Sequence, residues 1–375
     1  MSANIENTIL SAHPTVFAVG EEYQIFIPVT AEAVVGVRVG DHVYWDQSNG
    51  ILRSKINIHR CHLPAEVLDR EKKYTVVYRK MIDRTPYFPK SEEPVELEYD
   101  FRPVGNGKIN IFVVSDSHNN KTGPVEAAEK SGERIDLLVL NGDIPDHSGD
   151  IGNFVTVYAI ASGITKGEIP AVFSRGNHDT RGFYAEEYAG YTPTDRGNTY
   201  YSFRVGSLWG LALDCGEDKD DDHAEYGFTT CFHDFRVKET EFLRAIVSDP
   251  GSGFRADGVE HRVVICHVPF SYIQEEPFDI EQDIYREWTE LCGKTDPELM
   301  IYGHLHTAEL WLPGEKTDAY GIQPCPAVIS GKPRSLENGK SYAGDFTGTL
   351  ITLGEGEPKI RFVDNLGNTR EPEKK

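Results

Sequence analysis

Residues Lys108–Asn119 read KINIFVVSDSHN. From Ile111 to Val114 every residue is β-branched or aromatic, and Asn110 is the only polar break. A run of this kind suits a strand covered on both faces, as in α/β sheets. It ends in Asp116-Ser117-His118, which offers two metal-ligating side chains. Ligands of open α/β sheets gather outside the carboxyl ends of strands. What this strand end lacks should therefore appear at other strand ends.

Toward the C-terminus the pattern alternates strand and helix. Pro124–Ser131 reads as a short helix, and Leu137–Leu140 as a buried strand ending in Asn141-Gly142-Asp143. Phe154–Ile164 is apolar nearly all round, as in a buried helix. Ala171–Phe173 is a strand that runs into Arg175-Gly176-Asn177-His178-Asp179. Tyr201–Val205 and Leu208–Leu213 make a hairpin. Phe242, Leu243, Ile246 and Val247 form a helical stripe, and Val263–Cys266 is a strand ending at His267. Ile284, Trp288 and Leu291 form another stripe. Met300–Tyr302 is a strand ending in Gly303-His304-Leu305-His306. Strands near Ala327–Ile329, Gly348–Leu353 and Lys359–Val363 close the pattern, and a charged tail follows at 371–375.

Five strand ends thus carry Asp116 and His118, Asp143, Asn177 and His178, His267, and His304 and His306. Phosphate esters are anionic, and their hydrolysis needs charge neutralisation and an aligned nucleophile. Two metal ions about 3.5–4 Å apart can supply both. A carboxylate can bridge two cations, and a mixture of imidazole, carboxylate and carboxamide favours Mn, Fe, Zn or a similar ion over Ca.

The ordered series D-x-H, G-D, G-N-H-D, a lone His and G-H-x-H resembles the calcineurin-like metallophosphoesterase superfamily over about residues 108–363. The resemblance implies a four-layer α/β/β/α sandwich with a dinuclear site of two divalent or trivalent transition-metal ions at one edge. It places Asp116, His118, bridging Asp143 and His306 on the first ion, and Asp143, Asn177, His267 and His304 on the second. His178 is then the candidate acid for the leaving group, with Asp179 orienting it by a hydrogen bond, while a metal-bridging hydroxide attacks phosphorus in line.

Upstream, residues 1–101 alternate with period two: Tyr23, Ile25, Ile27 and Val29 are in phase, as are Val35, Val37 and Val39. Turn signals such as Asn49-Gly50 separate the runs. This predicts a small all-β sandwich of fibronectin-III or immunoglobulin type, serving as a spacer or as a docking surface. Residues 102–107 read as a linker, and 108–370 as the α/β (α+β) metallophosphoesterase domain. An N-terminal sandwich of this kind resembles the arrangement in purple acid phosphatases. Their second motif is G-D-x-x-Y, however, and Asp146 stands at the tyrosine position here. The serine/threonine phosphatase pattern also differs, since G-N-H-D replaces G-N-H-E.

The 375-residue chain has a net charge of −22, which argues against a general nucleic-acid binder. The six cysteines are scattered, which suits mostly buried free thiols in a reducing compartment. MSANIENTIL lacks the basic region and apolar core of a signal peptide, and no apolar run reaches the ~18 residues of a membrane span. A cytoplasmic protein is the expectation, although a trimmed leader would leave the same sequence. The acidic stretch Glu217–Asp222 and the aromatics Tyr226, Phe228 and Phe232 read either as a solvated face or as a lid beside the metals. The leading function is a phosphatase or phosphodiesterase acting on a small-molecule phosphoester. A nuclease of the same superfamily and a non-catalytic scaffold working through the β-sandwich are the alternatives.

Overall fold

In the computed structural model the strand Ile109–Val114 lies inside a nine-stranded sheet. The structure describes residues 3–249, 251, 253–331 and 345–372. Of the expected charged tail, 373–375 lie outside these. Ile109–Val114 pairs in parallel with Leu137–Asn141, which pairs in parallel with Pro170–Ser174. On its other side Thr347–Leu353 runs antiparallel, so the sheet is mixed. A second sheet of six strands holds Tyr201–Val205, Leu208–Ala212, His261–Ile265, Leu299–Tyr302, Ala327–Ile329 and Glu309–Trp311.

The strand alternation explains the layers. Ile109, Ile111 and Val113 face one way and join a core with Leu208, Ala212, Val263, Ile265 and Ile301 of the second sheet. Phe112 and Val114 face the other way, against Ala127, Ala128, Val157 and Ala161 of the helices Gly123–Lys130 and Val155–Thr165. The second sheet presents Leu211, Val264, Cys266, Met300 and Tyr302 to the helices Phe232–Ser248 and Gln282–Gly293. The order is helix, sheet, sheet, helix, as the resemblance implies. Every position of Ile109–Val114 is buried, which accounts for its apolar run.

The described residues up to Asp100 form strands and their connections, apart from the helix Ala65–Glu71. They supply a further sheet of five strands, built on Ala33–Val39 and Lys73–Asp83. Facing it, Thr15–Val19, Glu22–Pro28 and Ile58–Pro64 continue the nine-stranded sheet. The junction is parallel pairing of Val16 with Pro170 and Phe17 with Ala171. One leaf of the β-rich part is therefore shared with the sheet that carries Asp116 and Asp143. The stretch 102–107 is also fastened: Arg102 N–H donates to the Glu168 carbonyl at 2.7 Å, and Val104 is buried. All six cysteines are free thiols, and only Cys231 is exposed. No helix among the described residues is long and apolar enough to cross a membrane.

Candidate dinuclear metal centre

The carboxyl ends of five neighbouring strands, three from the nine-stranded sheet and two from the second, deliver the expected residues to one place. His306 Nε2 lies 3.1 Å from His118 Nε2 and 3.2 Å from Asp116 Oδ1. His267 Nε2 lies 3.2 Å from Asp143 Oδ2 and 3.8 Å from Asp116 Oδ1. Asp143 Oδ2 is also 4.0 Å from His118 Nε2, so it stands between the two groups. His304 Nδ1 is 3.0 Å from Asn177 Oδ1. Donor atoms cluster in three sets among the described residues: Asp116 with His118 and His306, Asp143 with His267 and His304, and, at the rim, His118 with Asp146 and His178. All seven sequence-predicted ligands converge.

Close approach at this edge requires the motif glycines. A Cβ on Gly303 would lie 1.9 Å from Ser115 Oγ, and one on Gly176 would lie 2.3 Å from Asp143 Oδ1. Five of the candidate ligands are left-handed: Asp116 (φ 53°), His118 (42°), Asp143 (52°), His304 (68°) and His306 (53°). Each such non-glycine conformation costs about 1–3 kcal/mol and persists only where the surroundings enforce it. Here the adjoining strands and backbone bonds do so, including Asp116 N–H to the Gly142 carbonyl at 3.0 Å and His118 N–H to the Asp143 carbonyl at 3.0 Å.

The electrostatics follow from burial and mutual charge. Burial works to raise the Asp143 carboxyl, yet His267, His178 and His118 hold it well below the usual carboxylate range. Burial opposes charge on His267, but Asp143 and Asp116 push it up to about 10. His304 falls to about 4 through burial and the neighbouring His267. The buried atoms Asp116 Oδ1 and His267 Nε2 have no hydrogen-bond partner. Leaving such atoms unsatisfied is costly, and metal coordination would satisfy both. The donor set of carboxylate, imidazole and carboxamide fits first-row transition ions.

Three supporting residues carried no role in the sequence reading. The Asn141 carbonyl lies 2.7 Å from His267 Nδ1, which turns Nε2 toward the carboxylates. Asp146 Oδ1 is 3.2 Å from His118 Nδ1, and the Asp146 carbonyl is 2.8 Å from His178 Nδ1. Asp218 reaches toward His304, with Oδ2 3.7 Å from Nε2. Asp146 had left a signal as the departure from the tyrosine motif, and Asp218 as part of the acidic stretch Glu217–Asp222.

The expected bond between Asp179 and His178 is replaced by that Asp146 carbonyl contact. Asp179 Oδ2 instead accepts the Gly176 N–H at 2.8 Å, and burial raises its carboxyl well above the ordinary range. Four further polar residues near these strand ends, Arg175, Asn120, Asn119 and His147, have local tasks. Arg175 Nε lies 2.8 Å from Asp214 Oδ2, and Asn120 Oδ1 accepts the Gly123 N–H at the start of a helix. Thr156 donates to Asn119 Oδ1, and the Gly149 N–H donates to His147 Nδ1. The acidic stretch is only partly a solvated face: Glu217, Asp218 and Lys219 are buried. Arg181 pairs with Glu217 at 2.7 Å and with Glu225 at 3.1 Å. Asp221 accepts the Phe232 and His233 N–H groups, which caps a helix.

Comparison with known proteins agrees with this geometry. Residues 109–308 match the model of the calcineurin-like phosphoesterase family. No curated protein sequence matches the chain. Among solved structures it is similar to purple acid phosphatase PPD1 from yellow lupin (Lupinus luteus) seeds, at 12% identity and TM-score 0.57, over 97% of this chain and 74% of that one. It is similar also to PhoD, at 11% identity and TM-score 0.51, over 99% of this chain and 94% of that one. At such identities the likeness is one of fold. With more than half of its length matching the family model, the chain belongs to the calcineurin-like phosphoesterases and is by class a phosphoester hydrolase.

Proposed function

We propose that the protein is a dinuclear-metal phosphatase or phosphodiesterase acting on a small-molecule phosphoester. The carrying observation is the position of Asp143 between two donor clusters, with buried, unpartnered Asp116 Oδ1 and His267 Nε2 beside it. Asp116, His118, Asp143 and His306 would hold one ion, and Asp143, Asn177, His267 and His304 the other. Two such ions supply charge neutralisation at the phosphoryl oxygens and a nucleophile from water at neutral pH.

The chain's own residues do the rest. His178 is about one-third exposed at the rim, with Nε2 4.0 Å from Asp143 Oδ2. Its Nδ1 is tied to the Asp146 carbonyl, so Nε2 is the atom that faces a substrate. A proton held there can pass to a departing alkoxide. The strand ends and motif glycines fix the ligands, so positioning precedes substrate binding.

Metal analysis combined with hydrolysis of p-nitrophenyl phosphate and bis-p-nitrophenyl phosphate tests this reading. About two ions per chain and turnover of at least one ester are expected, both lost on chelation. A metal-free chain inert to both esters would remove the proposal and favour the scaffold reading. The ester that is turned over separates monoesterase from diesterase.

A further inference from the structure

The buried loop after the strand Leu208–Ala212 carries an inference that rests on the dinuclear reading above. Asp218 is 6% exposed and is held by one oxygen. Its Oδ1 accepts from the Tyr226 hydroxyl at 2.8 Å, Lys219 Nζ at 2.9 Å and an Arg181 guanidinium nitrogen at 3.2 Å. Those donors are fixed in turn. Arg181 makes a fork on Glu217 at 2.9 and 2.7 Å, and Lys219 Nζ lies 3.0 Å from Glu225. Asp218 Oδ2 is left over and turned to His304, 3.7 Å from Nε2. The other nitrogen of that ring, Nδ1, faces Asn177 Oδ1 at 3.0 Å.

A metal-ligating imidazole commonly donates its second N–H to a carboxylate, which selects the tautomer and aims the ring. We propose that Asp218 is the positioning residue of His304. Its Oδ2 takes the Nε2–H, leaves Nδ1 bare toward Asn177, and so prepares the ring for the second metal ion. Closing the 3.7 Å separation to hydrogen-bond length needs a side-chain movement under about 1 Å. Neutralising Arg181 and Lys219 does not require Asp218 to sit against His304, because Glu217 and Glu225 already pair with them. Asp218 would thus act on the metal centre through His304 without touching substrate, and Tyr226 and Arg181 still hold its Oδ1 when Lys219 is absent.

Asp218→Asn separates this role from loop anchoring. Three donors compel the amide oxygen into the Oδ1 place, which turns an NH2 donor toward His304 Nε2 and favours the wrong tautomer. Metal-free protein is titrated with Co(II), followed by visible absorption and by metal content after gel filtration. Wild type should take two ions per chain. Asp218→Asn should bind one of them about 10–100-fold more weakly, with the other affinity and the melting temperature unchanged. Asp218→Ala should lose at least as much, while Lys219→Met, which leaves the carboxylate in place, should retain both ions. Two wild-type affinities in Asp218→Asn would overturn the proposal, as would an equal loss in Lys219→Met. A wild-type chain that takes fewer than two ions would defeat the dinuclear reading itself, and the positioning role with it.

Discussion

The carbonyl oxygen of Asp146 lies 2.8 Å from Nδ1 of His178. The same residue sets its carboxylate 3.2 Å from Nδ1 of His118. One side chain and its own backbone therefore address a candidate metal ligand and the candidate acid. Because the contact to His178 is made by backbone, it survives substitution at position 146.

His178→Ala is expected to lower turnover about 10²–10⁴-fold on esters with poor leaving groups, and far less on p-nitrophenyl esters. Metal content should be unchanged. Comparing kcat across a leaving-group series checks this, and equal losses across the series would remove the acid role.

Asp179→Asn should keep turnover within about threefold of wild type, because Asp179 bonds the Gly176 N–H and an amide oxygen can accept the same bond. A loss as deep as that of His178→Ala would restore Asp179 as the partner of His178.

An iron-loaded sample should show no intense visible band. The position of the tyrosine in the purple-phosphatase motif is held by Asp146, whose carboxylate is engaged with His118. Absorption spectroscopy after iron reconstitution decides this, and a strongly purple protein would contradict it.

Gly303→Ala should reduce both stability and metal content. The new Cβ would meet Ser115 Oγ at 1.9 Å and Asp116 Oδ2 at 2.9 Å. Overpacking of this kind costs about 1–3 kcal/mol. Removing the hydroxyl by Ser115→Ala in the same chain should recover part of the loss in a double-mutant cycle. Additive effects would place the strain elsewhere.

Glu239 provides a pH test away from the candidate metal centre. It is fully buried; Oε1 accepts the Asp214 N–H at 2.9 Å, and Oε2 has no partner. Burial, then the charge of Asp214, pushes its carboxyl well above the ordinary value. The folded state therefore holds a proton that the unfolded chain releases above about pH 4.3. Stability from this group is full below that pH and falls as pH rises toward the folded value. Glu239→Gln should match wild type near pH 4 and melt higher at pH 8, by about 2 °C or more. A gain that shrinks with rising pH would reverse the argument.

The phosphoesterase half was readable because its candidate ligands sit directly after buried strands, where hydrophobic run and polar triplet adjoin in sequence. The resemblance then assigned each ligand its place. Two other features depend on distant partners. The N-terminal strands were read through the in-phase residues Tyr23, Ile25 and Ile27, but Phe17 and Phe26 lie on the opposite face and pack against Phe173 and Tyr158. Those off-phase aromatics were the available sign of a strand buried on both sides. A solvated face was one of the two readings of the acidic stretch because Arg181, which pairs with Glu217, lies far upstream. His59 likewise found its carboxylate, Asp46 at 2.8 Å, through folding rather than by local spacing.

The pairing of Val16 with Pro170 bears on how the chain is made. A ribosome adds about 5–20 residues per second, so the first strand emerges on the order of ten seconds before its parallel neighbour exists. Until then Thr15–Val19 presents an open, apolar edge that invites pairing with other nascent chains. Its antiparallel partner Glu22–Pro28 is available at once and covers only one side. Synthesis slowed before Pro170 would lengthen that exposure, and co-translational aggregation would then rise before any change in the finished enzyme could be measured.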